Sequence, residues 1–167
     1  MLFRSVDIPV PRPNLRAARA ILGIHLPGSL PYSPNGASAQ TTREQVIDAI
    51  VSRLFSPNAD NAVCSIRFRD GKDRTIFARE MVSGRLLEQV CEDVRQSAFH
   101  GEADRAEAGL QIGDAIAAAD EAIERLRTTL TIQNAHAWIT DLPQDIGVVA
   151  VERIGGKVKR GHRFLNT

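Results

Sequence analysis

No stretch of this chain reads G-x-x-x-x-G-K-[ST], so the backbone cradle that holds nucleotide phosphates is missing and the chain alone is not expected to hydrolyse ATP. It also lacks a G-x-S-x-G elbow and any cysteine placed like a nucleophile, which removes the usual routes to hydrolytic catalysis. The two cysteines, Cys64 and Cys91, are too few for a disulfide scaffold and too far apart for a C-x-x-C clip; a reducing cytoplasm suits them. His100, His136 and His162 share no metal-ligand spacing with either cysteine, and no i, i+4 histidine pair exists, so no metal is expected. No apolar run approaches the roughly 20 residues that span a bilayer, and the start has no basic region followed by an apolar core. Neither a membrane partner nor secretion is expected. A net charge of +1 gives no global pull toward nucleic acid or anionic lipid.

What is present is enough for one ordinary domain, or one compact domain with a small annex: 167 residues, 43% of them hydrophobic. The charge is uneven. Acids dominate from Glu92 to Glu124, whereas Lys157, Lys159, Arg160 and Arg163 stand without an acid near the end. A solvated helix face and a loose basic tail account for this. The tail could also touch nucleic-acid phosphates, but it has little aromatic interleaving. The opening Met1-Leu2-Phe3-Arg4-Ser5 is unusual and is expected to be a truncated start, with the gene continuing upstream.

Periodicity places the elements. Val6 to Val10 alternates like a short strand, and Pro9, Pro11 and Pro13 then forbid regular structure. Asn14 is a good N-cap, and Leu15, Ala18, Ile21, Leu22 and His25 recur at helical spacing, so Leu15 to Leu26 is expected to be an amphipathic helix ended by Pro27-Gly28. Residues 29–40 read as a loop. Thr41 with Glu44 suggests a capping box, opening a second helix whose buried stripe is Val46, Ile47, Ile50, Val51 and Leu54. Ala62 to Arg69 then alternates, Asp70-Gly71 supplies a turn, and Arg74 to Ala78 alternates back, giving a β-hairpin. Ser83 is expected to cap a third helix with Leu86, Leu87, Val90, Val94 and Ala98 inward, closed by His100-Gly101. Ile112, Ile116, Ala119, Ile123, Leu126 and Leu130 mark a fourth. Trp138 falls in a polar loop, and residues 146–154 read as a strand able to join the hairpin in a small sheet. The fold class is therefore α+β.

Two stretches carry a family resemblance. Asp7-Ile8-Pro9-Val10-Pro11-Arg12-Pro13 leads into a helix ending Ile21-Leu22-Gly23-Ile24-His25, and Val82-Ser83-Gly84-Arg85 opens a later helix. This resembles the C-terminal lid subdomain of AAA ATPases, in which a Pro-rich elbow enters a helix ending I-L-x-I-H and an S-G-A-D-like turn opens another. The hairpin ahead of Phe77–Gly84, the Gly109-Leu110-Gln111-Ile112 run, Trp138 and the valine-rich strand are similar to the bacterial proteasome-associated branch. The resemblance implies a four-helix lid with an inserted hairpin at 62–78. Residues 1–13 would be the end of the large AAA subdomain and a hinge, 14–130 the lid, 131–154 a C-terminal segment and 155–167 a basic tail.

The same resemblance implies ATP as cofactor, with Mg held by the large subdomain of the same polypeptide. Neighbouring subunits of a homohexamer, a protein substrate and a proteasome core are the implied partners of a protein unfoldase. The hydrophobic-tyrosine signal of proteasome activators is absent from Phe164-Leu165-Asn166-Thr167, where an unfoldase serving another partner fits equally. By resemblance His25 packs beside the adenine or ribose, an imidazole being able both to stack and to hydrogen-bond. Read on its own, the same histidine caps a helix carboxyl end. Gly84 would let the backbone approach the base, or would simply make a tight turn. Arg85 departs from the alanine usual in the family; it could sense the γ-phosphate as lid arginines of other clades do, or face solvent in a first helical turn. A freestanding helical interaction module, needing no nucleotide, is the other reading.

Overall fold

Residues 11–33, 38–101, 108–139, 141–143 and 145–155 are described by the computed structural model of the chain. The strand expected at residues 6–10 and the tail from 156 onward lie outside them. Asn14 is extended, and its side chain accepts a hydrogen bond from the Ala17 amide at 2.9 Å, satisfying one of the free donors of a first helical turn. Helix α1 (Leu15–His25) follows and buries Ala18 and Leu22.

Helix α2 (Ala39–Phe55) begins earlier than the sequence suggests. Its cap is Ser38, whose Oγ accepts from the Thr41 amide at 3.1 Å, and Glu44 accepts from Gln40 Nε2 at 3.0 Å instead of completing a box with Thr41. Ser38 and Thr41 are both competent caps, and Ala39 and Gln40 between them are good helix formers, so the helix runs on to the earlier one. The expected stripe of Val46, Ile47, Ile50, Val51 and Leu54 is buried.

Strands β1 (Ala62–Phe68) and β2 (Asp73–Phe77) form the hairpin. Gly71 takes φ +83°, which an L side chain rarely adopts, and Asp70 Oδ1 accepts from the Lys72 amide at 3.1 Å. Strand β3 (Val148–Arg153) pairs antiparallel on the other edge of β1, with Ile66 opposite Val151, giving the order β2-β1-β3. β1 is central because its Cys64, Ile66 and Phe68 are all buried.

Helices α3 (Gly84–Gly101) and α4 (Ile112–Thr129) complete the body. α4 packs against α2 and α3 and over β1, while α1 rests on α2 and α3. The inward face of α4 is thin, built from Ala115, Ala118, Ala119 and Ala122 before Ile123 and Leu126. Small side chains let two neighbours approach closely at once. That demand turns the helix so that Ile116, expected inside, is 43% exposed.

Two connections do more than join helices. Leu110 bridges Tyr32, its amide donating to Pro31 O at 2.8 Å and its carbonyl accepting from the Ser33 amide at 3.0 Å. Gly109 before it takes φ +101°, and a Cβ there would lie 2.8 Å from Pro31 O. After α4, a one-turn helix α5 (Ala135–Trp138) stands where a loop is expected. Asn134 holds it, accepting from the Thr131 amide at 2.8 Å and donating to Thr129 O at 2.9 Å, while Ala135, Ile139 and Leu142 join the main core.

Candidate functional site

α1 and α3 run in the same sense. Arg12, just before α1, donates to the Val82 carbonyl just before α3, and Arg95, three turns into α3, donates to the His25 carbonyl at 2.9 Å. Arg95 stands eleven residues, about 16 Å of helix axis, beyond Gly84. His25 therefore meets α3 through its fourth turn, and the structure does not bring it to the Gly84-Arg85 turn. The two belong to opposite ends of one helix pair.

At the His25 end, the orphan carbonyls of α1 are taken by arginines from two other helices. Arg95 takes His25 O, while Arg43 Nε donates to Leu26 O at 2.7 Å and its Nη2 to Gly23 O at 2.9 Å. Side-chain cations at a helix carboxyl end satisfy both the hydrogen-bond demand and the dipole. Guanidinium groups take these carbonyls at the helix end where His25, read on its own, is expected to cap.

At the other end, Ser83 Oγ accepts from the Leu86 amide at 3.1 Å and opens α3. Gly84 is exposed and outside the positive-φ region, and a Cβ built on it would meet nothing within 4 Å among the described residues. Neither its backbone conformation nor any neighbour among the described residues requires glycine. Arg85 beside it has an 82% exposed side chain and holds Glu88 at 2.8 Å, an i, i+3 pair of the kind that solvent screens strongly. A groove of about 380 Å³ along α3 is lined by Arg85, Glu88, Glu92, Asp93 and Arg95; His25 and Gly84 do not line it. Arg95 holds the exposed Glu92 carboxyl below its usual range through a hydrogen bond.

Sequence reasoning passed over several polar groups. Arg12 and Trp138 meet across the fold, with the guanidinium carbon 5.6 Å from the ring centroid and Nη2 donating to the Trp138 carbonyl. No periodic pattern relates residues so far apart in sequence. A larger cleft of about 1040 Å³ between the end of α2, Ala59 and Asp60, α4 and Gly155 is rich in charge. That charge is spent on structure: Arg53 pairs with Asp120 and Asn61, Arg125 with Asp93 at 2.6 Å, and buried Arg127 with Glu124, Asp60 O and Ala62 O. Among the described residues no group of three or more His, Cys, Asp or Glu could hold a metal ion, and no helix is long and apolar enough to cross a membrane.

Comparison with known proteins adds the family. Residues 13–161 match the family model described as ARC, AAA+ ATPase lid domain. A proteasome-associated ATPase of Jonesia denitrificans is 22% identical over 139 residues, covering 80% of this chain and 25% of that protein. One of Salinispora arenicola is 25% identical over 166 residues, covering 96% of this chain and 26% of that protein. An AAA ATPase forming ring-shaped complexes, of Corynebacterium kroppenstedtii, is 27% identical over 101 residues, 57% of this chain and 17% of that protein. The chain spans about a quarter of the length of the first of these relatives.

Proposed function

This chain belongs to the ARC AAA+ ATPase lid-domain family, and from that premise we propose that it covers ATP bound to a P-loop subdomain and transmits the hydrolysis cycle to a ring of subunits. The reading is supported above all by Gly84. A glycine that none of the described residues needs, exposed at the mouth of a helix, is explained by a body that comes close from outside. A nucleotide lying against the Ser83-Gly84-Arg85 turn is such a body.

The spacing of the other two residues divides the ligand between them. His25, at the far end of the α1–α3 pair, serves the base or ribose. Arg85, whose partner among the described residues is the exposed i, i+3 Glu88, reaches the terminal phosphate as a guanidinium fork suited to it. Mg would come with the phosphates in the large subdomain. On this reading residues 1–13 are the elbow from that subdomain, 14–130 the lid, 131–154 a segment that shares its core and sheet, and 155–167 a basic tail. The ring is a cytoplasmic homohexamer acting as a protein unfoldase; ring assembly and a proteasome core as candidate partner are supported by the ring-forming and proteasome-associated names of its relatives.

The test uses the ATPase that carries this lid beside a P-loop subdomain. Arg85→Ala is expected to slow ATP turnover by about tenfold or more, the scale of a lost charge-assisted hydrogen bond. Gly84→Met is expected to weaken nucleotide affinity while the chain's own stability shifts by no more than about 0.5 kcal/mol. Unchanged affinity and turnover in both variants would dismiss the nucleotide role and favour a helical interaction module.

A further inference from the structure

The Pro-rich elbow, Pro9 to Pro13, is expected to be the hinge of the lid, yet its last residues here are held. Arg12 lies between Pro11 and Pro13. Pro11 and Pro13 each have a fixed φ, and a residue before proline is driven to extended backbone, so the Arg12 side chain leaves the elbow in a restricted direction. One guanidinium then reaches two carbonyls from separate parts of the fold, Val82 O at 3.5 Å and Trp138 O, and packs over the Trp138 ring. The first carbonyl lies two residues before Gly84; the second ends α5. The planar fork of arginine suits this combination of two acceptors and an aromatic face, which an ammonium does not match.

We infer that Arg12 is a positioning residue: it clamps the end of the elbow to the Val82-Ser83-Gly84 turn and to α5, so that the turn, the lid and the C-terminal segment move as one body with Arg12. This rests on the lid reading for its purpose, but the clamp itself concerns this chain alone. Without it, a bending elbow would lose its motion in slack beside Gly84. With it, a displacement of the elbow is delivered to the turn directly.

Trp138 is the single tryptophan and reports the clamp by its own fluorescence. In the 167-residue chain, Arg12→Met is expected to red-shift Trp138 emission and raise its quenching by acrylamide. It should also speed amide exchange at Leu86 and Leu87, which Ser83 holds through its Oγ and carbonyl, by roughly fivefold, the opening factor of one lost hydrogen bond. Ala119 and Ile123 in α4 should exchange as before. Arg12→Lys, which keeps the charge without the fork, should move the same readouts in the same direction. Equal acceleration at Leu86, Leu87, Ala119 and Ile123 would make Arg12 a general stabiliser and overturn the clamp, as would wild-type behaviour in either variant. No nucleotide enters these measurements, so the clamp and the nucleotide role of the lid can fail separately.

Discussion

Single residues set local limits that no neighbour can relax. Gly109 is the sharpest case: φ +101° and a virtual Cβ 2.8 Å from Pro31 O leave no room for alanine. Gly109→Ala is expected to cost about 1–3 kcal/mol, read from urea denaturation, because strain and a backbone clash fall on one atom. The sequence offered Gly109 only as part of a family-like run; its reason became visible once residues 31–33 were seen against it. The cysteines work through burial. It pushes Cys64 up to about 11, with Glu80 adding to the rise, and Cys91 up to about 12, against the ordinary thiol value of 9.0. The unfolded chain therefore sheds these protons at lower pH than the folded one. Their contribution to stability is full below the ordinary thiol range, falls as pH rises through it, and is lost once the folded values are passed. Unfolding free energy measured up the alkaline limb should decline from about pH 9, and Cys64→Ala with Cys91→Ala should flatten that decline. A limb unchanged by both substitutions would contradict the buried-thiol account.

At the scale of elements, the helices and hairpin were legible where a cap and a stripe agreed. Asn14 and Ser83 have the side-chain oxygens that first turns require, and both cap as expected. Ser83→Ala should cost about 1 kcal/mol in global stability and quicken exchange first at Leu86, the amide it holds. Equal exchange in the two proteins would show that the cap is idle. Legibility failed where two good signals competed or where a distant partner decided. Ser38 outran Thr41 because nothing local chooses between them. Ile116 lies outside because α2 and α3 both need the alanines of α4. Trp138 stands in a helical turn because Asn134 bonds back to Thr129 and Thr131, an arrangement without period. The pairing of β3 with β1 was readable as a possibility from its valines, but its register depends on residues eighty or more positions away. Of the candidate site, residue types were legible while their relation was not: the resemblance implies that His25 and Gly84 both approach the base, and they stand at opposite ends of the α1–α3 pair.

For the whole molecule, one core joins the four long helices, β1, β2 and α5, so a force applied at the elbow has a continuous packed body to act on. That is what a lid requires if hinge closure around a nucleotide is to move a neighbouring subunit. Arg12 ties the elbow to this body, and Gly84 and Arg85 face outward from it. The central claim is that this body covers a nucleotide held by a P-loop subdomain. It is tested most directly by photolabelling the ATPase that carries the lid with an azido-adenine nucleotide and locating the modified peptide. The account predicts label on the end of α1 around His25 or on the Ser83–Arg85 turn, suppressed by excess ATP. Label confined to the P-loop subdomain, or lid label that ATP does not displace, would contradict it.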